Sequence, residues 1–248
     1  TGADIIDGGA GTDSLSYIAS TVGVTVYLDG VTLGSGGDAL GDVVSNIETL
    51  TGSAFNDTLY GYTGAESISG GAGNDILIGG AGADTLDGGA GTDSVSYITA
   101  SASITASFAS GSLVVSGGGG DATGDTFISI EGVVGTNFND TLTGGTGAES
   151  LDGGAGNDTV YGSAGADTLT GGAGTDTLDY SASSAGITLL LSGASSSGGD
   201  AAGDIVTGFE IVYGSALADS ITGTSSNETL YGQGGNDTLI GHGGADAR

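Results

Sequence analysis

Residues 70–96 read GGAGNDILI, GGAGADTLD and GGAGTDSVS, three consecutive nonapeptides that share one pattern of glycines, acids and aliphatics. The preceding nonapeptides, GSAFNDTLY and GYTGAESIS, extend the block to residues 52–96 with no residue left over. The sixth position is always acidic: Asp57, Glu66, Asp75, Asp84 and Asp93. The eighth is always aliphatic: Leu59, Ile68, Leu77, Leu86 and Val95. A flexible Gly-rich linker has no reason to keep these positions in phase, so the block is predicted to fold.

Each nonapeptide divides into a turn and a very short strand. Runs of small residues oppose a helix, because Gly costs about 1 kcal/mol per helical position relative to Ala, and they suit turns with positive φ angles. The triplet after each acid, such as Thr85-Leu86-Asp87, alternates its faces as a strand does. One aliphatic side chain per nonapeptide makes no core alone, so the units are predicted to stack into one aliphatic column.

The amino-acid composition limits which kinds of partner the chain can bind. The 248 residues hold 30 acids against one basic residue, Arg248, for a formal charge of −29. Such charge favours disorder unless cations are bound, yet the periodic aliphatics indicate folding with cations. With no Lys, the chain is not expected to bind nucleic acid or an anionic membrane, and no apolar stretch is long enough for a transmembrane helix. The absence of Cys rules out disulfides and thiolate metal sites.

A longer period of about 80 residues lies above the nonapeptides. GAD-initiated segments recur at Gly2, Gly82, Gly165 and Gly244. We therefore predict one continuous solenoid over 1–248, with copies 2–81, 82–164 and 165–243 and the start of a fourth at 244–248. The chain begins inside a nonapeptide, so we expect an interior or processed piece of something longer.

Inserts separate the nonapeptide blocks at 17–51, 97–134 and 180–213. A Tyr opens each insert, and an alternating strand follows with one predicted buried face: Val24, Val26 and Leu28; Ile104, Ala106 and Phe108; Ile187, Leu189 and Leu191. The turns GGDALGD, GGDATGD and GGDAAGD come next. A second apolar stretch contains a Glu each time: Glu48, Glu131 and Glu210. Either these glutamates complete metal sites or they point outward, and the pattern favours neither.

The repeated pattern G-G-x-G-x-D-x-U-x, with U a large apolar residue, resembles the RTX family of secreted bacterial proteins with hemolysin-type calcium-binding nonapeptides. The resemblance covers most of the chain. It implies an all-β fold, a right-handed parallel β-roll or β-solenoid with calcium-binding Gly-rich turns alternating between two edges. It also implies that multiple Ca²⁺ ions lie between stacked turns, held by turn carbonyls and the sixth-position acids.

Matching this motif residue by residue assigns the predicted metal ligands. The nonapeptide ligands are Asp4, Asp13, Asp57, Glu66, Asp75, Asp84, Asp93, Asp140, Glu149, Asp158, Asp167, Asp176, Asp219, Glu228, Asp237 and Asp246. The insert turns look like nonapeptide turns with one residue added and a second acid. They add Asp38 with Asp42, Asp121 with Asp125, and Asp200 with Asp204 as further predicted ligands.

Two predictions concern register. A two-edged roll couples Asp75 to Asp57 and Asp93, eighteen residues away, whereas a nine-residue coil would couple it to its immediate neighbours. We favour eighteen, because two facing strands can enclose the aliphatic column and one cannot. For successive copies to stack in phase, each insert is predicted to supply three wider half-coils, giving four coils per copy.

An enzyme is not expected. His242 is the only His and occupies a variable turn position, and no Ser or Thr has a base that could activate it. Outward Tyr60, Tyr161 and Tyr231 could stack on sugars, but they fall in different units of each copy, so a ladder is not expected.

The sequence therefore favours an extracellular calcium-binding structural segment that folds and stiffens on Ca²⁺, such as a spacer, filament, surface-layer or adhesin stalk. The alternatives are the C-terminal RTX module of a secreted enzyme and a carbohydrate-binding adhesin segment. The expected location is secreted or at the bacterial cell surface, and the resemblance implies type I secretion. Calcium is the expected partner, and association with further copies, end to end or side by side, is left open.

Overall fold

The computed structural model describes residues 2–109 and 112–247, and within them the backbone forms short β-strands and three 3₁₀ helices. The first strands are β1 (Ile5–Asp7), β2 (Ser14–Ser16), β3 (Thr25–Tyr27), β4 (Val43–Ser45), β5 (Thr49–Thr51), β6 (Thr58–Tyr60), β7 (Ser67–Ala72), β8 (Ile76–Ile78), β9 (Thr85–Ala90), β10 (Ser94–Ser96), β11 (Ile104–Ala109), β12 (Ser112–Gly117) and β13 (Thr126–Ile128). The later strands are β14 (Gly132–Val134), β15 (Thr141–Thr143), β16 (Ser150–Asp152), β17 (Thr159–Tyr161), β18 (Thr168–Thr170), β19 (Thr177–Asp179), β20 (Thr188–Leu190), β21 (Ile205–Thr207), β22 (Ile211–Tyr213), β23 (Ser220–Thr222), β24 (Thr229–Tyr231) and β25 (Thr238–Ile240). The 3₁₀ helices span Gly37–Ala39, Gly118–Gly120 and Gly199–Ala201.

These elements confirm the predicted all-β class. Across the described ranges, no helix is long and apolar enough to cross a bilayer. Arg248, the basic residue in the charge count, lies outside the described residues, as do Thr1 and positions 110 and 111 of the second insert. The described chain divides into an N-terminal unit, Thr1–Ser101 with Ser112–Gly132, and a C-terminal unit, Ala102–Gly111 with Val133–Arg248.

In the N-terminal unit, the nonapeptide strands alternate between two parallel sheets. One sheet holds β2, β5, β7, β9 and β13 in spatial order, and the other holds β3, β6, β8 and β10. Leu59 on β6 is the register partner of Leu77 on β8, eighteen residues on, and Ile68 on β7 is the partner of Leu86 on β9. The eighteen-residue coil is therefore confirmed, and the nine-residue coil is excluded.

The C-terminal unit repeats this arrangement. Strands β11, β15, β17, β19, β22 and β24 are neighbours in one parallel sheet, and β16, β18 and β21 are neighbours in another. A third sheet holds β20, β23 and β25. Leu142, Val160 and Leu178 lie in register on successive strands, again with an eighteen-residue period. Both units are thus parallel β-rolls built from the same coil.

The predicted aliphatic column is the core. Leu59, Ile68 and Leu77 are fully buried, and Leu142, Leu151 and Val160 are buried to the same degree. The predicted inward faces of the inserts are buried too, including Val26, Ala106 and Leu189. Burying one such Leu or Ile side chain is worth about 1.5–3 kcal/mol, so stacking supplies the core that a single nonapeptide lacks.

The register predicted for the inserts is wrong. The first and third inserts each contribute three strands, and the second contributes four because β12 is added beside β11, but each insert forms one wider, three-sided turn rather than three half-coils. In the N-terminal unit β1 pairs with β4, β2 with β5 and β3 with β6. In the C-terminal unit β18, β19 and β20 pair with β21, β22 and β23 in the same way. Each pair is three strands apart along the chain instead of two, so each copy advances by three and a half turns and not four.

The physical reason lies in the extra chain length of the insert. The first alternating strand, β3, pairs with no earlier strand, and its Thr25 instead makes an antiparallel bridge to Ser35 in the following turn. That turn is closed by its own 3₁₀ helix, in which the Ala39 amide donates to the Gly36 carbonyl. β3 therefore starts a new sheet, and β4 ends the one begun by β1.

Candidate metal centre

The sixth-position acid immediately precedes the strand of its nonapeptide and turns its carboxylate toward the backbone of the preceding turn on the same edge. The Asp57 amide donates to Asp75 Oδ1 at 2.8 Å, and the Asp75 amide donates to Asp93 Oδ1 at 2.8 Å. On the opposite edge, the Glu66 amide donates to Asp84 Oδ1 at 2.9 Å. The two predicted edges, Asp57–Asp75–Asp93 and Glu66–Asp84, are therefore the observed ones.

The C-terminal unit contains the same two chains of contacts. Asp140, Asp158 and Asp176 are linked by amide-to-carboxylate bonds of 2.7 and 2.8 Å. The Glu149 amide donates to Asp167 Oδ1 at 2.9 Å. One oxygen of most of these carboxylates is thus fixed by the backbone, and the other points into the turn.

Glycines bring the carbonyls of neighbouring turns unusually close. A Cβ at Gly82 would lie 1.4 Å from the Gly64 carbonyl oxygen, and one at Gly91 would lie 1.7 Å from that of Gly73. No side chain can occupy these positions without moving the backbone. The cleft between stacked turns is therefore lined by carbonyl oxygens as well as carboxylates.

Among the described residues, the stacked turns bury negative charge without a Lys or Arg beside it. The buried acids are Asp42, Asp57, Asp75, Asp84, Asp93, Asp140, Glu149, Asp158, Asp167, Asp176, Asp204, Asp219 and Glu228. Within the described part of the chain, buried carboxylate oxygens without a hydrogen-bond donor occur on Asp13, Glu66, Asp75, Asp84, Asp93, Asp158, Asp176 and Glu228. An unpaired buried charge costs several kcal/mol, so this arrangement requires either protons or cations.

Burial opposes the negative charge of these acids and so raises the pKa values of several of them. Burial raises the pKa of Asp75 to about 6, and the charges of Asp57 and Asp93 add to that effect. Burial likewise raises the pKa of Asp158 to about 6. On the other edge, burial together with the charge of Asp84 raises the pKa of Glu66 to about 7. A positive ion between the turns would reverse these shifts.

The ligand set fits calcium. Ca²⁺ takes six to eight oxygen ligands and accepts backbone carbonyls beside carboxylates. In the described residues, no three His, Cys, Asp or Glu side chains converge on one point, so carbonyls would have to supply most ligands. In the N-terminal unit, the unpaired oxygens of Asp75 and Asp93 would hold ions on one edge, and those of Glu66 and Asp84 on the other. In the C-terminal unit, the unpaired oxygens of Asp158, Asp176 and Glu228 would hold ions in one stack, beside β17, β19 and β24.

The first acid of each nonapeptide block differs from Asp75, Asp93, Asp158 and Asp176, each of which keeps an oxygen without a donor. Asp57 accepts from the Ser53 amide at 2.5 Å and the Ser53 hydroxyl at 2.8 Å, and from the Val24 amide at 2.7 Å. The amide and hydroxyl of Thr136 donate to the Asp140 carboxylate in the same way, and those of Ser215 donate to the Asp219 carboxylate. Both oxygens of these acids are thus hydrogen-bonded by the protein itself.

The insert acids divide into two groups. Asp42, Asp125 and Asp204 each accept from the backbone of the preceding coil and from the tyrosine that opens the insert. The Tyr17 hydroxyl lies 2.8 Å from Asp42 Oδ2, and burial raises the pKa of Tyr17. Asp38, Asp121 and Asp200 lie on or just after the 3₁₀ helices and are half-buried. The tyrosine partners were not predicted from the sequence.

The carboxylates of the three insert glutamates each accept a backbone hydrogen bond from an acid of the preceding coil. The Asp13, Asp93 and Asp176 amides donate to carboxylate oxygens of Glu48, Glu131 and Glu210 at 2.8 to 2.9 Å. These glutamates continue the stack of acids rather than pointing outward. A sequence signal existed: like Asp57, Glu48 directly precedes a three-residue strand with an apolar centre, Thr49–Thr51.

The acids near the ends of the chain belong to the same stacks. The Asp4 amide donates to Asp42 Oδ1 at 2.9 Å. The Asp219 amide donates to Asp237 Oδ1 at 3.0 Å, and the Glu228 amide to Asp246 Oδ1 at 3.2 Å. Each of these contacts has the same form as those in the block centres.

Comparison with protein families agrees with this geometry. The model of the RTX calcium-binding nonapeptide repeat matches residues 1–16, 44–77, 60–95, 133–160, 143–178 and 213–247, which together cover more than half of the chain. A search of curated proteins found no match. The matched ranges contain the stacked turns whose carboxylates lack partners. The chain belongs to the RTX family and is a calcium-binding repeat segment.

Proposed function

We propose that this segment is an extracellular structural element that folds and stiffens when calcium binds, serving as a spacer, filament, surface-layer component or adhesin stalk. The observation that carries the proposal is the row of buried carboxylate oxygens without donors, repeated on both edges of the N-terminal unit and along one stack of the C-terminal unit. Each ion would join two successive turns of the coil, so calcium would act along the whole roll rather than at one point.

The energetic effect of many weak sites is large. Extracellular calcium modules bind at about 10⁻⁴ to 10⁻³ M. At ten times the dissociation constant, each site adds about 1.4 kcal/mol to stability. Since a domain is usually stable by about 5–15 kcal/mol, a handful of such sites decides whether the roll folds.

The proposal includes a location and an assembly. The three copies would form one continuous solenoid, unfolded in a low-calcium cytosol and folded after export to the calcium-rich exterior. Near-identical tandem copies, each offering the same turns, suit a load-bearing or spacing role better than a single binding event. Family membership supports this, since RTX repeats are typically found in secreted proteins.

Circular dichroism and force measurement test the proposal together. We expect the β spectrum to be lost in EDTA and restored by CaCl₂, with MgCl₂ at equal ionic strength as the control. Single-molecule extension of the calcium-bound chain should give unfolding forces well above those of the chain in EDTA. A β spectrum that is unchanged by EDTA, or equal unfolding forces in both buffers, would refute the proposal.

A further inference from the structure

A groove on the outer face of the N-terminal unit is lined by tyrosines that the repeat does not require. Tyr27, Tyr60 and Ile78 end strands β3, β6 and β8 and are register partners. The rings of Tyr27 and Tyr60 are stacked, with centroids 4.4 Å apart. Tyr62 stands beside them with 54% of its surface exposed. Together with neighbouring residues they enclose a cavity of about 430 Å³.

Comparison of the three copies shows that these aromatics are local. In the aligned inserts and first nonapeptides, the second copy has Ser107, Thr143 and Gly145 at the three tyrosine positions. The third copy has Leu190, Thr222 and Thr224 there. Because those copies form the same strands without tyrosines, coil formation does not account for the cluster.

The floor and walls of the groove combine apolar surface with carboxylates. Ile78 is only 4% exposed although it lies on the outward side of its strand. Asp29 and Asp121 line the cavity, together with Thr32 and Thr99. The Asp29 carboxylate is held in place by the amides of Val31 and Thr32 at 2.8 and 2.7 Å. Partial burial opposes its ionisation, but these bonds and the Thr32 hydroxyl outweigh it and lower the pKa of Asp29.

Tyrosine rings and an apolar floor beside carboxylates determine which class of ligand the groove can bind. The face of a tyrosine attracts a cation within about 6 Å of the ring, and alkylammonium groups are the ligands that aromatic clusters with nearby acids recognise. Anions are disfavoured by a chain with a formal charge of −29. Calcium needs oxygen ligands on all sides and gains nothing from an apolar wall. We propose that this groove, defined by Tyr27, Tyr60, Tyr62 and Asp29, binds the alkylammonium group of a small organic cation.

The test compares a cation with its neutral isostere. Calcium-saturated protein is titrated by calorimetry with choline chloride, with 3,3-dimethyl-1-butanol and with glucose. We expect choline to bind with one-to-one stoichiometry and the neutral isostere to bind about two- to thirtyfold more weakly, since a cation–π contact contributes about 0.5–2 kcal/mol. Tyr62→Ala should weaken choline binding by a similar factor. Phosphatidylcholine vesicles in a flotation assay distinguish a membrane headgroup from a free amine as the source of the group.

A matched variant separates the groove from general attraction of cations to an acidic protein. Tyr231 lies on an outward strand face of the C-terminal unit, stacked on Tyr213 at 4.7 Å, and is 43% exposed. Tyr231→Ala should leave choline affinity unchanged. Equal affinity for choline and its isostere, tighter binding of glucose, or equal affinity in Tyr62→Ala and the original chain would each overturn the proposal. Calcium-induced folding is measured separately and does not depend on this outcome.

Discussion

The Ser53 hydroxyl lies 2.8 Å from Asp57 Oδ1, inside the first turn of a nonapeptide block. The same pairing joins Ser215 to Asp219 in the C-terminal unit at 2.8 Å. A hydroxyl thereby occupies the place where Asp75, Asp93, Asp158 and Asp176 have an oxygen without a donor. Each block thus begins on a turn whose acid is satisfied by the protein, and four of the acids that follow, Asp75, Asp93, Asp158 and Asp176, keep an oxygen for a cation.

Removing this hydroxyl should destabilise the roll without removing a calcium ion. Ser53→Ala leaves a buried oxygen of Asp57 short of one donor, which typically costs about 1–3 kcal/mol. We expect a lower urea midpoint for the calcium-saturated protein, measured by circular dichroism. Ser67→Ala, at an exposed strand position, is the matched control and should leave the midpoint unchanged. An unaltered midpoint in Ser53→Ala would contradict the role given to this hydroxyl.

Neutralising one central acid should affect two sites on one edge. In Asp75→Asn, the side-chain oxygen still accepts the Asp57 amide, but the charge facing both neighbouring turns is lost. We expect calcium titration to show about two weakened sites, with the Glu66–Asp84 edge retained. Asp87→Asn, at the ninth position of its nonapeptide, should change almost nothing. Weakening that includes the Glu66–Asp84 edge would contradict the separation of the two edges.

Acid should partly replace calcium. The pKa of Asp75 is raised from 3.8 to about 6, and that of Glu66 from 4.5 to about 7, mainly by burial. A raised pKa contributes stability below the unfolded value and loses it as the pH rises through the folded value. In EDTA we therefore expect the β spectrum to be strongest near pH 4 and to fade between about pH 5 and 8. A calcium-free chain that is more structured at pH 8 than at pH 4 would refute this expectation.

The insert tyrosines should stabilise the fold independently of calcium. The buried Tyr180 hydroxyl donates to Asp204 Oδ2, and burial raises the pKa of Tyr180. Tyr180→Phe removes this donor, and we expect a loss of about 1–3 kcal/mol in the free energy of unfolding with unchanged calcium stoichiometry. Tyr161→Phe, at a position 40% exposed, serves as the control. Loss of a calcium ion in Tyr180→Phe would show that the tyrosine supports a metal site instead.

Turn glycines should tolerate substitution only where the next turn is distant. Gly82→Ala would place Cβ 1.4 Å from the Gly64 carbonyl oxygen, so the turns must separate. Gly243→Ala meets no atom closer than 3.9 Å. We expect Gly82→Ala to lower both calcium affinity and the urea midpoint strongly, and Gly243→Ala to be nearly neutral. Similar midpoints for the two variants would argue against close stacking of the turns.

The sequence by itself determined the coil and the stacking of the nonapeptide acids. The fixed spacing of acid and aliphatic residues leaves one solution, because only two facing strands per eighteen residues can bury Leu77 and Val95 on one sheet and Ile68 and Leu86 on the other. The pairing of Asp57, Asp75 and Asp93 follows from that coil. These features are local and periodic, so they can be read from the chain without its fold.

Only the tertiary structure decided how the strands and side chains of the inserts pair. Thr25 pairs with Ser35 on one side and with Thr58 of the later strand β6 on the other, and no sequence period encodes this. These pairings produced one three-sided turn in place of the three predicted half-coils. The pairing of Tyr17 with Asp42 and the contact of Glu48 with Asp13 join residues far apart in sequence. Which carboxylates keep an unpaired oxygen depends on such long-range donors, and therefore on the packed fold.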